Sequence, residues 1–334
     1  MPKQKLTLPK ADDYAKTRRR LNNTIQDYLA VLRSAPVASP EVRIHRACYV
    51  LRKVFYAYRE ATWSRFCTSI SLATRHNGLT VLTEDPTKAG RKNGWFADFP
   101  QQYFVGNPTA KEKVLVITPC YDIGFLKKLV DQLLAGLDVQ IEEVRVRLKA
   151  LTECTVMAVQ PWEQLDLAHY QNHWCMRVTS PSTGKQTALD ITGVQYGISH
   201  GDMPWESQLE FFVERIHAVK PFGTLEQFAE EMATFKGTEG LEYDVAAGAI
   251  KAWHQAVDPA MERKGVTWAD ILQKPEAGFE RHTGRIIGVG TKAMQKYVAV
   301  TKLTKRRNKA ERYDDRHEDQ IEGEAEELEM IYLD

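Results

Sequence analysis

One stretch of the chain combines residue types that can transfer protons. His173 begins an alternating segment, His173-Trp-Cys-Met-Arg-Val, and Asp190 lies near the end of the next one, Thr187-Ala-Leu-Asp-Ile. Between them, Pro181-Ser-Thr-Gly184 is typical of a hairpin turn. Because side chains alternate between the two faces of a strand, such a hairpin can place the imidazole beside the carboxylate. A carboxylate there fixes the imidazole tautomer and stabilises the imidazolium that forms when the ring accepts a proton.

The same segment, continued by Leu189-Asp190-Ile-Thr-Gly193-Val-Gln195-Tyr-Gly197, resembles the second half of the active site of transglutaminase-like or papain-like cysteine enzymes. In that superfamily a strand that begins with His and an aromatic residue is followed by a turn with Pro and Gly, and then by a strand that ends in Asp. This chain has Asp-Ile-Thr where the superfamily commonly has Asp-Pro-Thr. The resemblance is confined to the centre of the chain, and it implies that His173 and Asp190 are catalytic.

The resemblance also implies a nucleophilic cysteine that opens a helix upstream of both strands, and Cys120 fits this position best. Thr118 can cap such a helix and Pro119 suits its first position, so the free N–H groups of the first turn would lower the pKa of the Cys120 thiol. Cys154 is the alternative nucleophile, and the residues leave open that no cysteine has this role. The candidates for contacting the substrate or its oxyanion are Trp174, Gln195 and Tyr196.

The activity that the resemblance implies is acyl transfer through a Cys-His-Asp triad. Cys120 would attack an amide or ester carbonyl, His173 would transfer the proton, and Asp190 would orient His173. Water as the acyl acceptor makes the protein an amide or peptide hydrolase, and an amine makes it an acyl or aminoacyl transferase. No cofactor is expected. No metal site is expected either, because His169, His173 and His200 lack a recognised ligand spacing.

Two other functions stay open at this point, and the distribution of charge bears on one of them. The formal net charge is +1, but residues 314–334 carry ten acids against one base. The segments 3–20 and 302–312 are basic and could contact RNA or tRNA through terminal helices. The other alternative is a non-catalytic binding protein on a degenerate transglutaminase-like fold.

Cysteine usage and hydropathy indicate the compartment. The five cysteines form no Cys-x-x-Cys pair, which argues against a disulfide framework or a thiolate zinc site and favours a reducing compartment. No apolar run approaches the roughly 18 residues that a membrane span needs. The first residues are basic but lack the apolar stretch of a secretory signal. We therefore expect a cytoplasmic protein with no membrane contact and an unknown oligomeric state.

Hydrophobic periodicity predicts an α+β fold with a small antiparallel sheet in the centre, flanked by N-terminal and C-terminal helices. Four regions are expected within one compact domain: helices over 1–83, the catalytic-like core over 84–205, helices over 206–312, and a disordered acidic tail over 313–334. Apolar spacing predicts a helix from Trp63 to His76, a strand over Val114–Ile117 and a helix over 206–219. Further helices are expected from Thr224, with Gln227 completing a capping box, over 241–257, from Thr267 and from Thr291.

Overall fold

The structure is a computed structural model, and it describes residues 11–65, 67–73, 79–85, 98–117, 120–149, 154–158, 171–301 and 303–333. In chain order the helices are α1 (Ala11–Ser34), α2 (Pro40–Ala61), α3 (Pro108–Leu115), α4 (Lys127–Leu134), α5 (Trp205–Phe211), α6 (Thr224–Met232), α7 (Gly237–Glu262), α8 (Trp268–Leu272), α9 (Glu276–Val300) and α10 (Leu303–Tyr332). The strands are β1 (Cys67–Ala73), β2 (Leu79–Glu84), β3 (Gln140–Leu148), β4 (Cys154–Ala158), β5 (Asn172–Thr179), β6 (Gln186–Leu189), β7 (Asp202–Pro204) and β8 (Val213–Pro221). Helices therefore flank a strand-rich centre, and the predicted α+β class is confirmed.

The central sheet has five antiparallel strands in the order β7-β6-β5-β3-β8. Its two faces meet different layers because strand side chains alternate. Trp174, Met176 and Val178 of β5 join the large helical core, while Cys175 faces a smaller cluster that includes Val144 and Val146 of β3. A second sheet, β1-β2-β4, contributes to that smaller cluster and contains a parallel pair, β2 with β4. The sequence did not predict this second sheet.

Two short elements were predicted with the wrong type. The expected helix from Trp63 contains β1, where Cys67–Ala73 pairs with β2, and residues 74–76 lie outside the described part. Polar and apolar residues alternate in Thr-Ser-Ile-Ser-Leu, and this strand pattern outweighs the helical spacing of the apolar residues on which the prediction was based. The expected strand over Val114–Ile117 is instead the end of α3, because Asn107 caps that helix by accepting a hydrogen bond from the N–H of Ala110 at 3.0 Å.

The C-terminal helices begin and end at different residues from those predicted. The helix expected over 206–219 is α5 followed by β8, whose alternating residues pair with β3. Thr224 forms no capping box, since the N-cap of α6 is Gly223 and the Thr224 hydroxyl donates to the carbonyl of Pro221. Thr291 lies inside α9 and donates to the carbonyl of Ile287 four residues earlier. The helix expected over 241–257 lies within α7.

The acidic segment expected to be a disordered tail is helical over most of its length. Residues 303–332 form α10, with non-helical backbone at His317. Ile321 and Leu328 are seven residues apart and both are buried, so they form an apolar stripe on one face of the helix. The Asp314 carboxylate accepts a hydrogen bond from the N–H of Thr238 at 3.1 Å at the start of α7. Charge density alone had suggested disorder, but this stripe and this cap fix the segment on the body.

A single apolar cluster joins residues from the N-terminal, central and C-terminal regions, including α2, β5, α7, α9 and α10. The boundaries expected at 205/206 and 312/313 fall inside α5 and α10. None of the helices formed by the described residues is both long and apolar enough to span a lipid bilayer.

A buried carboxylate joins the central sheet to α6. Glu143 of β3 is 2% exposed and accepts hydrogen bonds from the N–H groups of Gly223 at 3.0 Å and Leu225 at 2.8 Å. These donors are unpaired helix N-terminal groups, which a carboxylate satisfies well. Burial nevertheless raises the pKa of Glu143 to about 7, although both hydrogen bonds lower it.

The raised pKa of Glu143 predicts that stability falls as pH rises from about 4.5 to about 7. In that window the folded state binds a proton at Glu143 that the unfolded state releases. Glu143→Gln should remove up to about 3 kcal/mol of this pH dependence in the free energy of unfolding. Urea unfolding of both proteins between pH 4.5 and 8 measures the difference. Glu242, whose pKa is also raised to about 7, contributes equally to both curves. Parallel curves would show that Glu143 does not titrate in this range.

Candidate functional site

His173 and Asp190 form a buried pair. The Nε2 of His173 lies 2.8 Å from Oδ1 of Asp190, and the two residues are 0% and 2% exposed. A carboxylate can only accept, so Nε2 carries the proton in this hydrogen bond. Asp190 thereby fixes the ring orientation and would stabilise an imidazolium. This is the arrangement needed for proton transfer by the other ring nitrogen, Nδ1.

The hairpin between β5 and β6 creates the pair. Met176 of β5 is opposite Leu189 of β6, and Asp190 directly follows β6. The turn closes through a 2.9 Å hydrogen bond from the N–H of Ser180 to the carbonyl of Lys185, and Gly184 supplies a φ of +68°. The predicted turn and the approach of His173 to Asp190 are therefore both present.

Two further residues hold the Asp190 carboxylate in place. Gln208 of α5 donates from Nε2 to Oδ2 of Asp190 at 3.0 Å and is fully buried. Gly193 lies so close that a Cβ there would be 2.6 Å from the carboxylate carbon. Gln208 was not predicted from the sequence. The available signal was its spacing from Trp205 and Phe211, which places a glutamine on the buried face of α5.

The three predicted substrate or oxyanion candidates lie in different places. The Tyr196 ring meets the His173 ring edge to face with centroids 5.0 Å apart. Gln195 is buried, and its Nε2 has no hydrogen-bond partner among the described residues. Trp174 follows His173 directly on the strand and so points to the opposite face, into the helical core. The structure therefore brings Tyr196 to the pair, leaves a donor unused at Gln195 and separates Trp174 from the imidazole.

The predicted nucleophile, Cys120, begins a 3-10 helix, Cys120–Leu126, that packs against β5. Its side chain lies outside what the structure describes. Ile123 and Leu126 of the same helix join the core on the Trp174 face of the sheet. The expected cap and first-position residues, Thr118 and Pro119, also lie outside the described part.

The alternative, Cys154, lies on β4 in the smaller apolar cluster with Val146 and Tyr196. His173 is opposite Val146 in the register of β5 and β3, so Cys154 and His173 share a side of the central sheet. Burial raises the pKa of the Cys154 thiol to about 12. Cys154 is therefore a neutral thiol that would need a base to become a nucleophile.

A second histidine–carboxylate pair was not predicted. Nδ1 of His45 in α2 lies 2.9 Å from Oδ1 of Asp202 in β7, and the hydroxyl of Tyr28 donates to Oδ2 of Asp202 at 2.8 Å. The His45 side chain is 37% exposed. Burial lowers the pKa of His45, but the hydrogen bond and charge of Asp202 outweigh it, so the net shift is upward. A spacing of three and then four residues places His45, Cys48 and Arg52 on one face of α2. This spacing is the sequence signal that could have indicated the site.

Cys48 lies between the two pairs. Its Sγ packs against Gly201, where a Cβ would come within 2.8 Å. Burial, together with the charges of Asp202 and Asp190, raises the pKa of this thiol well above its ordinary range, although Arg52 opposes the shift. Cys48 is thus a protonated thiol in the folded protein.

Metal ligands do not converge in the described part of the chain, where no group of three or more His, Cys, Asp or Glu side chains could hold an ion. His169 lies outside the described residues. His200 is near Asp202 and Arg52, and burial lowers its pKa.

The comparisons found no match. Neither the family models nor the curated proteins nor the solved structures include one that resembles this chain significantly. The likeness to transglutaminase-like enzymes therefore rests on the residues around His173 and Asp190 alone.

Substitution at Gly193 tests how tightly the Asp190 carboxylate is held. Gly193→Ala should push the carboxylate away from His173 and destabilise the fold by about 1–3 kcal/mol, the usual cost of overpacking. Gly284→Ala is the matched control, because Gly284 is exposed in α9 and a Cβ there meets nothing within 4 Å. That change should be neutral or stabilising by up to about 1 kcal/mol. Urea unfolding of both variants measures the effect, and equal stabilities would contradict the described packing.

Proposed function

We propose that the protein is a cysteine-dependent acyl-transfer enzyme, an amide or peptide hydrolase or an acyl or aminoacyl transferase. The observation that carries this proposal is the 2.8 Å hydrogen bond between His173 and Asp190. The pair has the tautomer-fixing geometry of a Cys-His-Asp triad. Its residues are those on which the chain resembles the transglutaminase-like and papain-like superfamily.

In the proposed reaction a cysteine sulfur forms a bond to the carbonyl carbon of an amide or ester, and its proton passes to Nδ1 of His173. Asp190 stabilises the resulting imidazolium through Nε2. When the tetrahedral intermediate collapses, the bond to the leaving amine or alcohol breaks and that group takes the proton from His173. Water or an amine then attacks the thioester carbonyl carbon with His173 as base, the carbon–sulfur bond breaks, and the proton that His173 accepted returns to the cysteine sulfur. The unused Nε2 donor of Gln195 is the proposed partner for the oxyanion.

Two cysteines compete for the nucleophilic role. Cys120 is supported by the resemblance alone, since the 3-10 helix that it begins packs on the face of β5 opposite His173. Cys154 is supported by its place on the same side of the central sheet as His173. We retain Cys120 as the proposed nucleophile and Cys154 as the alternative that the experiment below distinguishes.

A non-catalytic binding protein is the second candidate, and burial favours it. His173 is 0% exposed, so a substrate reaches its ring only if covering residues move. The thiols of Cys48 and Cys154 both have raised pKa values because of burial. A histidine–carboxylate pair in such a place can equally stabilise the hairpin that contains it.

The proposed partner of the enzyme is a peptide or another amide-containing molecule. An RNA or tRNA contact through residues 3–20 and 302–312 remains a further proposal, supported by exposed Lys305 and Lys309, which have no carboxylate partner within the described residues. The cytoplasm is the proposed location, and the free thiols Cys48, Cys67, Cys154 and Cys175 support a reducing compartment.

Thiol reactivity tests the proposal. At pH 6 the nucleophilic cysteine should react with iodoacetamide at least about tenfold faster than the others, because each unit by which its pKa is lowered raises the thiolate fraction tenfold. Peptide mass spectrometry identifies the labelled residue. Cys120→Ser should abolish the fast reaction, and Cys154→Ser is the matched control. His173→Asn should slow the fast iodoacetamide reaction by a similar factor. The thermal midpoint of this variant, measured in parallel, shows whether it is folded.

Two results would contradict this scheme. Five cysteines that label slowly and equally would support the non-catalytic protein. A fast reaction that is lost in Cys154→Ser and kept in Cys120→Ser would transfer the nucleophilic role to Cys154.

A further inference from the structure

A cavity of about 350 Å³ lies between α7, α8 and α9, in a part of the molecule that the proposed triad does not use. Its walls are apolar and come from Val257 and Met261 of α7, Ile271 of α8 and Ile286 of α9. Small-molecule sites typically have volumes of roughly 300–1,000 Å³ and mainly hydrophobic walls. The cavity is therefore large enough for a small ligand with an apolar body.

Cations line the edge of this cavity. Lys264 and Arg285 are exposed residues that contribute to its lining, and no acidic residue contributes to it. Neither cation forms an ion pair with a carboxylate of the described chain, in contrast to Arg46 with Glu276 and Lys128 with Asp258 nearby. The apolar walls are thus combined with unneutralised positive charge at one place.

His282 is the other polar residue of the lining. Its Nδ1 donates a hydrogen bond to the carbonyl of Gly278 at 2.7 Å, which fixes the ring on α9. Since Nδ1 is the donor, Nε2 of the neutral ring is an acceptor, and the groups of the lining that attract an anion are Lys264 and Arg285. A cationic ligand would meet repulsion here, and a ligand with several polar groups would leave them unsatisfied against the apolar walls.

We propose that this cavity binds a small aliphatic carboxylate, with its hydrocarbon chain between α7, α8 and α9 and its carboxylate at Lys264 and Arg285. Burial of the chain removes apolar surface from water, and apolar cavities of this kind accept hydrocarbon ligands. The guanidinium of Arg285 can form charge-assisted hydrogen bonds to both carboxylate oxygens. The cavity shares no residue with the His173 site, so the inference stands independently of the proposed function.

Octanoate is the test ligand, and 1-octanol is the neutral ligand of equal chain length. Octanoate should raise the thermal midpoint of the protein in a concentration-dependent way, because a ligand that binds only the folded state stabilises it. By titration calorimetry it should bind at least about tenfold more tightly than 1-octanol, as one charge-assisted contact allows.

Three variants locate the binding. Arg285→Gln should weaken octanoate binding about tenfold and leave 1-octanol unchanged. Arg281→Gln is its matched control, since Arg281 is exposed one turn earlier on α9 and does not line the cavity. Ala260→Phe, which adds a ring to the lining, should abolish binding of both ligands.

Equal affinities for octanoate and 1-octanol would overturn the assignment of the carboxylate site. Unchanged octanoate binding in a folded Ala260→Phe protein, or no binding at millimolar octanoate, would overturn the site itself. Should Ala260→Phe fail to fold, the comparison of Arg285→Gln with Arg281→Gln decides: equal affinities contradict the proposal.

Discussion

Burial of an ionisable pair is the constraint around which the centre of this molecule is arranged. A carboxylate taken out of water is costly unless its oxygens accept hydrogen bonds from partners. Asp190 meets this condition through His173 on one oxygen and Gln208 on the other, while its N–H donates to Gly201. Gly193 leaves the space that the carboxylate occupies. The hairpin, the segment after it and the start of α5 all serve this one hydrogen-bond arrangement.

The strand next to β6 carries the carboxylate of the second pair. Leu189, which precedes Asp190, is opposite Asp202 in β7, and Asp202 binds His45 and Tyr28 of the N-terminal helices. Asp202 thus connects the edge of the sheet to α1 and α2, and the charges of both carboxylates act on the Cys48 thiol. One pair is fully buried and the other is partly exposed.

The sequence predicted those features that depend on short-range patterns. The alternation around His173 and the Pro-Gly turn specify a hairpin, and the hairpin brings the strand of His173 beside the strand that Asp190 follows. Gln208 and Asp202 could not be predicted in the same way, because their contacts depend on how α5 and β7 pack. The strand at Cys67 and the helix ending at Leu115 were predicted wrongly, because a short apolar run fits the period of a helix as well as that of a strand. Strand pairing at Cys67 and helix capping by Asn107 decide between the two structures. The acidic segment needed the burial of Ile321 and Leu328 to become ordered.

The interaction on which these conclusions depend is the hydrogen bond that the buried Nε2–H of His173 donates to Asp190. Proton–nitrogen NMR of protein labelled in its histidine rings tests it directly. We expect one slowly exchanging, low-field Nε2–H signal that disappears in His173→Asn and moves to higher field in Asp190→Asn, because the charged acceptor is replaced by a neutral one. The absence of any protected ring N–H signal, or a signal that Asp190→Asn leaves unchanged, would show that this hydrogen bond is not formed.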